Sequence, residues 1–221
     1  VFLRHAPGHM RSDALDSERL TVSNLYEINK SSEIDILEKG TSASLGFDFS
    51  INNLDKDGLI GEEKLKISAG QVINLEEDKD MSVKSSMDQR FSDIVGSAMY
   101  KASDNMTLKY QFAVDQNIKQ INYNEIGLEL EEGKVQFNIN YLQEREHIGN
   151  EEYIESSIDL NLTSSSELSF SNKRNLVTDS SEFYSLSYNY LNDCLKAGLV
   201  YRREFYTDRD IEPENSLMFK I

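Results

Sequence analysis

Ser42-Ala-Ser-Leu-Gly-Phe-Asp-Phe-Ser-Ile51 (SASLGFDFSI) sets the fold class. Ala43, Leu45, Phe47, Phe49 and Ile51 alternate with Ser42, Ser44, Gly46, Asp48 and Ser50. A period of two is that of a strand with one apolar and one polar face, whereas a helix repeats every 3.6 residues. The pattern recurs outward from this stretch. Met106, Leu108, Tyr110, Phe112 and Val114 alternate with Thr107, Lys109 and Gln111, and Val135, Phe137, Ile139 and Tyr141 with Gln136, Asn138 and Asn140. Ile154, Ile158, Leu160 and Leu162 follow, then Tyr184, Leu186, Tyr188 and Tyr190, then Leu195, Ala197, Leu199 and Tyr201. About eleven such segments predict an all-β, antiparallel meander. Only Pro7 and Pro213 occur, both outside the periodic segments, so no proline interrupts a ladder.

The connections predicted between strands alternate in length. Corners at Ser103–Asn105, Glu131–Gly133, Ser164–Ser166 and Leu191–Asp193 are short and made of turn formers. Longer, more charged links run over Glu144–Glu152, Arg174–Ser181 and Thr207–Glu214. Short turns at one end, long loops at the other and one apolar face per strand describe part of a large transmembrane outer-membrane β-barrel. A soluble barrel or sandwich shares the alternation, with its apolar face inside. Aromatics near strand ends favour the membrane arrangement, as an interfacial girdle would: Phe183 and Tyr184, Tyr188 and Tyr190, then Tyr201, Phe205 and Tyr206.

Charge narrows the partners. Lys and Arg number 23 against 39 Asp and Glu, a net charge of −16, which disfavours nucleic acid or an anionic bilayer surface and favours cations, divalent metals included. No apolar run reaches the roughly 18 residues a membrane helix needs. The sequence opens Val-Phe-Leu-Arg-His, so a signal peptide is expected to be absent or to lie upstream, and the chain reads as a fragment.

Sites of chemistry are scarce. Asn53-x-Asp55-x-Asp57-Gly58 resembles the start of an EF-hand loop, but position 12 is Lys64 and strands flank it, so a hairpin loop is expected and no metal site. His5, His9 and His147 have no nucleophile or acid beside them in a catalytic pattern, and His147 reads as an exposed loop histidine. No enzyme, catalytic residue or cofactor is expected. Cys194 is the only cysteine, so any disulfide needs a thiol outside this chain. With Leu195, Ala197 and Leu199 on the apolar face, Cys194 falls on the polar face. There it suits an external partner better than packing, although a small buried apolar role stays open.

The C-terminal stretch YSLSYNYLNDCLKAGLVYRREFYTDRDIEPENSLMFKI resembles the end of the LptD family of lipopolysaccharide-assembly outer-membrane proteins, particularly its alphaproteobacterial form. The resemblance rests on Asn192-Asp-Cys-Leu195, Asp208-Arg-Asp210 and Pro213 before a last strand over about Glu214–Ile221. Asn24-Leu-Tyr-Glu-Ile-Asn-Lys30, then Glu38-Lys-Gly40, is similar to the family's Asn-Leu-Phe-x-x-Asn-Arg and Glu-x-Gly-x-Arg. The resemblance implies that residues 1–221 are the C-terminal part of one β-barrel domain, lacking an N-terminal periplasmic domain and the early strands. It implies transport of lipopolysaccharide to the outer leaflet of a Gram-negative outer membrane, with a plug lipoprotein (LptE-like) and the periplasmic Lpt bridge as partners and the last strand at a lateral exit. It also implies that Cys194 is disulfide-bonded to the periplasmic domain. Many members carry two adjacent cysteines, whereas Asp193 precedes the single Cys194 here. Another outer-membrane porin or receptor barrel, or a soluble β-rich binding protein, remains the alternative.

Overall fold

The computed structural model describes residues 1–7, 19–30, 38–54, 58–205 and 214–220. His9, Asp55, Asp57, Tyr206, Asp208–Asp210 and Pro213 lie outside them. The described residues form twelve strands and no α-helix. They are β1 (Phe2–Ala6), β2 (Gly40–Leu54), β3 (Ile60–Asn74), β4 (Ile94–Ser103), β5 (Met106–Val114), β6 (Ile121–Glu132), β7 (Val135–Glu144), β8 (Glu152–Thr163), β9 (Ser166–Asn175), β10 (Ser180–Leu191), β11 (Lys196–Glu204) and β12 (Asn215–Lys220). Each is hydrogen-bonded to the next in chain order, an antiparallel meander. The short, charged β1 carries little alternation of its own and is fixed by pairing Leu3 with Ala43 and His5 with Thr41.

Connection lengths alternate from β3 to β9 as the sequence predicts, but β9–β10 and β10–β11 are joined by four residues each. β4–β5, β6–β7 and β8–β9 join through two residues each, and Gly133 takes positive φ in the second of these turns. The other end carries Leu75–Asp93, Asp115–Gln120 and Arg145–Glu151. The Arg174–Ser181 link is shorter than expected, only Leu176–Asp179, because Asn172, Lys173 and Arg174 stay in the ladder between β8 and β10. Of the Asn53–Gly58 stretch the described residues show Leu54 opposite Ile60 at the end of the β2–β3 pair.

The chain divides into two compact units: residues 1–101, 109–125 and 143–150, and residues 102–108, 126–142 and 151–221. In the first, Leu45, Phe47, Phe49 and Ile51 pair with Gln71, Ala69, Ile67 and Leu65, all on one face. That face looks outward: the four β2 side chains are 40–58% exposed, while Ser42, Ser44 and Ser68 on the opposite face are buried. The sheet is therefore arranged opposite to a soluble barrel, which hides its apolar face.

The second unit shows the same polarity in its register. Ile158, Phe170, Leu186, Tyr201 and Leu217 form one row across β8 to β12, and Leu160, Leu168, Tyr188, Leu199 and Phe219 form the next. Most of these side chains are exposed. The alternate rows carry Ser157, Ser171, Ser185, Arg202 and Ser216, then Asn161, Glu167, Asn189, Gly198 and Lys220. Phe183 departs from the girdle expectation. It pairs with Lys173 and Glu204 on the polar face, and the Arg202 guanidinium lies 4.1 Å from its ring centre.

Candidate functional site

Three arrangements stand out. The first is the apolar band. Ten side chains in two adjacent rows over five strands make a contiguous outward surface, which water-soluble monomers avoid. Tyr184 continues it, stacking on Phe170 at 6.3 Å and meeting Phe205 edge-on at 5.4 Å.

The second lies at the long-loop end of the first unit, where residues 19–30 turn inward onto the polar face. Asn24 organises the turn: its Oδ1 accepts from the Thr21 amide at 2.8 Å, and its Nδ2 donates to the Arg19 and Lys30 carbonyls. That leaves Leu25 1% exposed over Gly70, where a Cβ would collide with Leu25 and the Leu45 carbonyl. Gly46, paired with Gly70, is likewise closed over by Tyr26. Only glycine at both positions lets the segment lie on the sheet backbone.

Charge then fixes the segment. Glu38, just before β2, accepts from the Lys30 amide at 2.5 Å, and its Oε2 lies 3.4 Å from both Lys30 Nζ and Arg4 Nη1. Arg4 also donates to the Glu38 carbonyl. The side chains of Arg4, Lys30 and Glu38 are 6%, 0% and 8% exposed. Burial pulls the Lys30 ammonium below its usual range, and the Glu38 carboxylate opposes that shift. At the other end of the segment, Arg19 lies 3.6 Å from the Tyr123 ring centre, 3.3 Å from Glu144 and 4.0 Å from Glu125. One segment thus touches the polar faces of β2–β3 and of β6–β7 within the first unit.

The loops beyond are tied by a carboxylate. Asp93 Oδ2 accepts from Asn122 Nδ2 at 3.0 Å and lies 2.9 Å from His147 Nε2. His147 is therefore not the exposed loop histidine expected from sequence; its side chain is 15% exposed. The hydrogen bond to Asp93 raises its pKa above the ordinary histidine value, burial opposes this, and Asp93, Asp88 and Asp115 add to the rise. Burial pushes the nearby Asp88 carboxyl up. His5 bonds Thr41 through Nδ1 at 2.9 Å on β1.

The third arrangement surrounds Cys194. The residue sits in the β10–β11 turn itself and not on the strand expected, and it is exposed. Asn192 Oδ1 accepts from the Cys194 and Leu195 amides at 3.0 and 2.8 Å, an Asx turn that delays β11 to Lys196. Beside it a groove of about 730 Å³ opens on the polar face, lined by Asn161, Glu167, Asn189, Lys196, Gly198 and Lys220 among others.

Sequence reasoning found Cys194 and the stretches around Asn24 and Glu38, but missed the roles of Arg4, Arg19 and Asp93. The one available signal was the recurrence of charge, Lys30 and Glu38, within otherwise ordered-looking motifs.

A family model described as LptD, LPS transport system D, matches residues 15–166. The match covers the Asn24–Lys30 and Glu38–Ile51 stretches and stops short of Cys194. No curated protein matches the chain. Among solved structures, a double mutant of the Rh. blastica porin aligns at 9% identity over 77% of this chain and 78% of its own, with a TM-score of 0.42. A triple mutant of the Rhodopseudomonas blastica porin aligns at 8% identity over 80% and 85%, with a TM-score of 0.40.

Proposed function

The chain belongs to the LptD (LPS transport system D) family, and from that premise we propose that it is the C-terminal part of the barrel domain of a lipopolysaccharide translocon in a Gram-negative outer membrane. The observation that carries the reading is the outward apolar face, continuous in register from β8 to β12 and repeated on β2–β3. Such a face suits hydrocarbon outside and water inside. Strands preceding β1 and following closure of the full barrel would satisfy the edge groups of β1 and β12, since hydrocarbon does not tolerate open edges.

In this reading short turns face the periplasm and long loops the exterior. The polar face lines a lumen through which the saccharide part of lipopolysaccharide moves, and the acyl chains leave laterally beside β12. No bond in the substrate is made or broken. Residues 19–30 narrow the lumen at its outer end, and an LptE-like lipoprotein and the periplasmic bridge serve the inner end. Cys194, exposed on a periplasmic turn in an oxidising compartment, bonds to a cysteine of the N-terminal domain.

The test is the full-length protein in its own cells. Depletion should stop new lipopolysaccharide from reaching the surface while phospholipid content stays normal. On a non-reducing gel the protein should shift with reductant, and Cys194→Ser should abolish the shift and slow assembly. Surface lipopolysaccharide unchanged on depletion would reject the transport role; unchanged gel mobility would reject the staple alone.

A further inference from the structure

The row next above the apolar band on the long-loop side is Ser156, Asn172, Tyr184, Arg203 and Asn215. It stands two residues, about 7 Å, from the row of Ile158, Phe170, Leu186, Tyr201 and Leu217. Arg203 is the only cation in that row, on the same outward face as the band, and exposed. Among the described residues no acid holds it. Its neighbour Arg202, on the polar face, pairs with Glu204 at 2.8 Å, and Arg174 on β9 pairs with Asp179 at 2.6 Å. On the outward face of this row no carboxylate offsets Arg203, whose row partners are Tyr184 and Asn215.

Its surroundings hold the guanidinium without neutralising it. The Arg203 guanidinium lies 4.7 Å from the Phe205 ring centre, and Phe205 meets Tyr184 edge-on. Stacking on an aromatic face orients the planar fork and leaves its N–H donors outward. Within the row Asn172 and Asn215 stand on either side of Tyr184 and Arg203, and the oxygens of both are engaged: Asn172 Oδ1 by Ser156 and Asn215 Oδ1 by Tyr201 at 3.3 Å. The side-chain amides of both are left as donors. Donors therefore line one row directly above the apolar band.

We propose that Arg203, with Asn172, Tyr184 and Asn215, forms a binding site on the outer wall of the barrel for the phosphate of an acylated glycolipid headgroup, next to the last strand. The inference rests on the membrane reading above and names a ligand site for the same surface. Bidentate pairing of a guanidinium with phosphate supplies the charge recognition, and the adjacent Tyr201 and Leu217 supply contact for the acyl chains. A lipid released beside β12 meets this site first, so it receives product on the outer leaflet.

The experiment uses the full-length protein, purified in a non-ionic detergent, with the bis-phosphorylated lipid anchor of lipopolysaccharide as probe. Its dephosphorylated form, phosphatidylglycerol and inorganic phosphate serve as comparison ligands. Arg203→Gln should weaken binding of the bis-phosphorylated probe about tenfold, the scale of a charged hydrogen bond lost. Arg203→Lys should weaken it less, and the dephosphorylated probe should bind wild type and Arg203→Gln alike. Equal affinity of wild type and Arg203→Gln for the phosphorylated probe would overturn the site. Phosphatidylglycerol binding as tightly as the probe would overturn the glycolipid assignment, and competition by inorganic phosphate at equal concentration would place a free anion there instead. Heat-modifiable migration of Arg203→Gln separates the two levels: a folded, membrane-inserted variant with unchanged binding rejects this site only. A wild-type protein that fails to enter the membrane rejects the reading beneath it.

Discussion

Replacing Glu38 by Ala removes the only anion that the described residues place between Arg4 and Lys30. Both cations are at most 6% exposed, and the carboxylate oxygen lies 3.4 Å from each. Deleting one partner of a buried ion pair costs about 3–5 kcal/mol, because the remaining charge stays dry and unbalanced. Here two charges are stranded, so the upper part of that range applies. The cost falls on docking of residues 19–30 and not on the ladder, since the strands keep their hydrogen bonds. The assay is limited proteolysis of the full-length protein in detergent micelles, following cleavage within residues 19–30 while heat-modifiable migration reports the intact barrel. If opening precedes cleavage, 3–5 kcal/mol raises the cleavage rate at least about a hundredfold. Glu38→Gln keeps an acceptor for the Lys30 amide and should fall between wild type and Glu38→Ala. The triple change Arg4→Met, Lys30→Met and Glu38→Leu should recover most of the protection, as apolar replacements of buried ion pairs do. Cleavage of Glu38→Ala within threefold of wild type would refute the reasoning.

Three further outcomes follow from the same structure. Leu186→Arg, on the outward row, should cost about 2–4 kcal/mol of folding stability in bilayers, whereas Ser187→Arg on the polar face should cost little; urea titration in lipid vesicles reads both. Gly70→Val forces a side chain into Leu25 and the Leu45 carbonyl, so overpacking of about 1–3 kcal/mol should expose residues 19–30 to protease without unfolding the barrel. The His147 pKa is raised by Asp93, so its stabilising contribution is complete below about pH 6.5 and is lost as pH rises through the higher folded value. Loop protection from protease should therefore fall over that window in wild type and lose this dependence in His147→Ala.

The strands were legible because period-two alternation is local, and β2 shows it over ten residues without interruption. Which face is wet was not legible, since alternation is identical whether apolar side chains point inward or outward. The buried Ser44 and exposed Phe47 decide it. Phase failed at Cys194, where Asn192 spends its side chain on two amides and shifts the start of β11 by a residue or two. Phe183 failed as a girdle residue because it directly precedes Tyr184 on β10, and strand alternation turns the two side chains to opposite faces, Phe183 toward Lys173 and Glu204. The Asp93–His147 bond joins residues 54 apart, and Arg4 meets Glu38 across 34. Contacts made by converging loops leave no periodic trace, so only the fold reveals them. The Asn24–Lys30 stretch was visible as a motif, but its purpose required seeing the Gly46–Gly70 gap that it fills.

The membrane arrangement requires that the apolar face of these strands meet lipid. Single cysteines placed at positions 184 to 189 of β10, in full-length protein with Cys194→Ser and assembled in outer membranes, test it directly. Collisional quenching of an attached fluorophore by lipid-borne quencher should be strong at positions 184, 186 and 188. Quenching by an aqueous quencher should be strong at 185, 187 and 189. The opposite phase, or aqueous access at all six positions, would contradict the account.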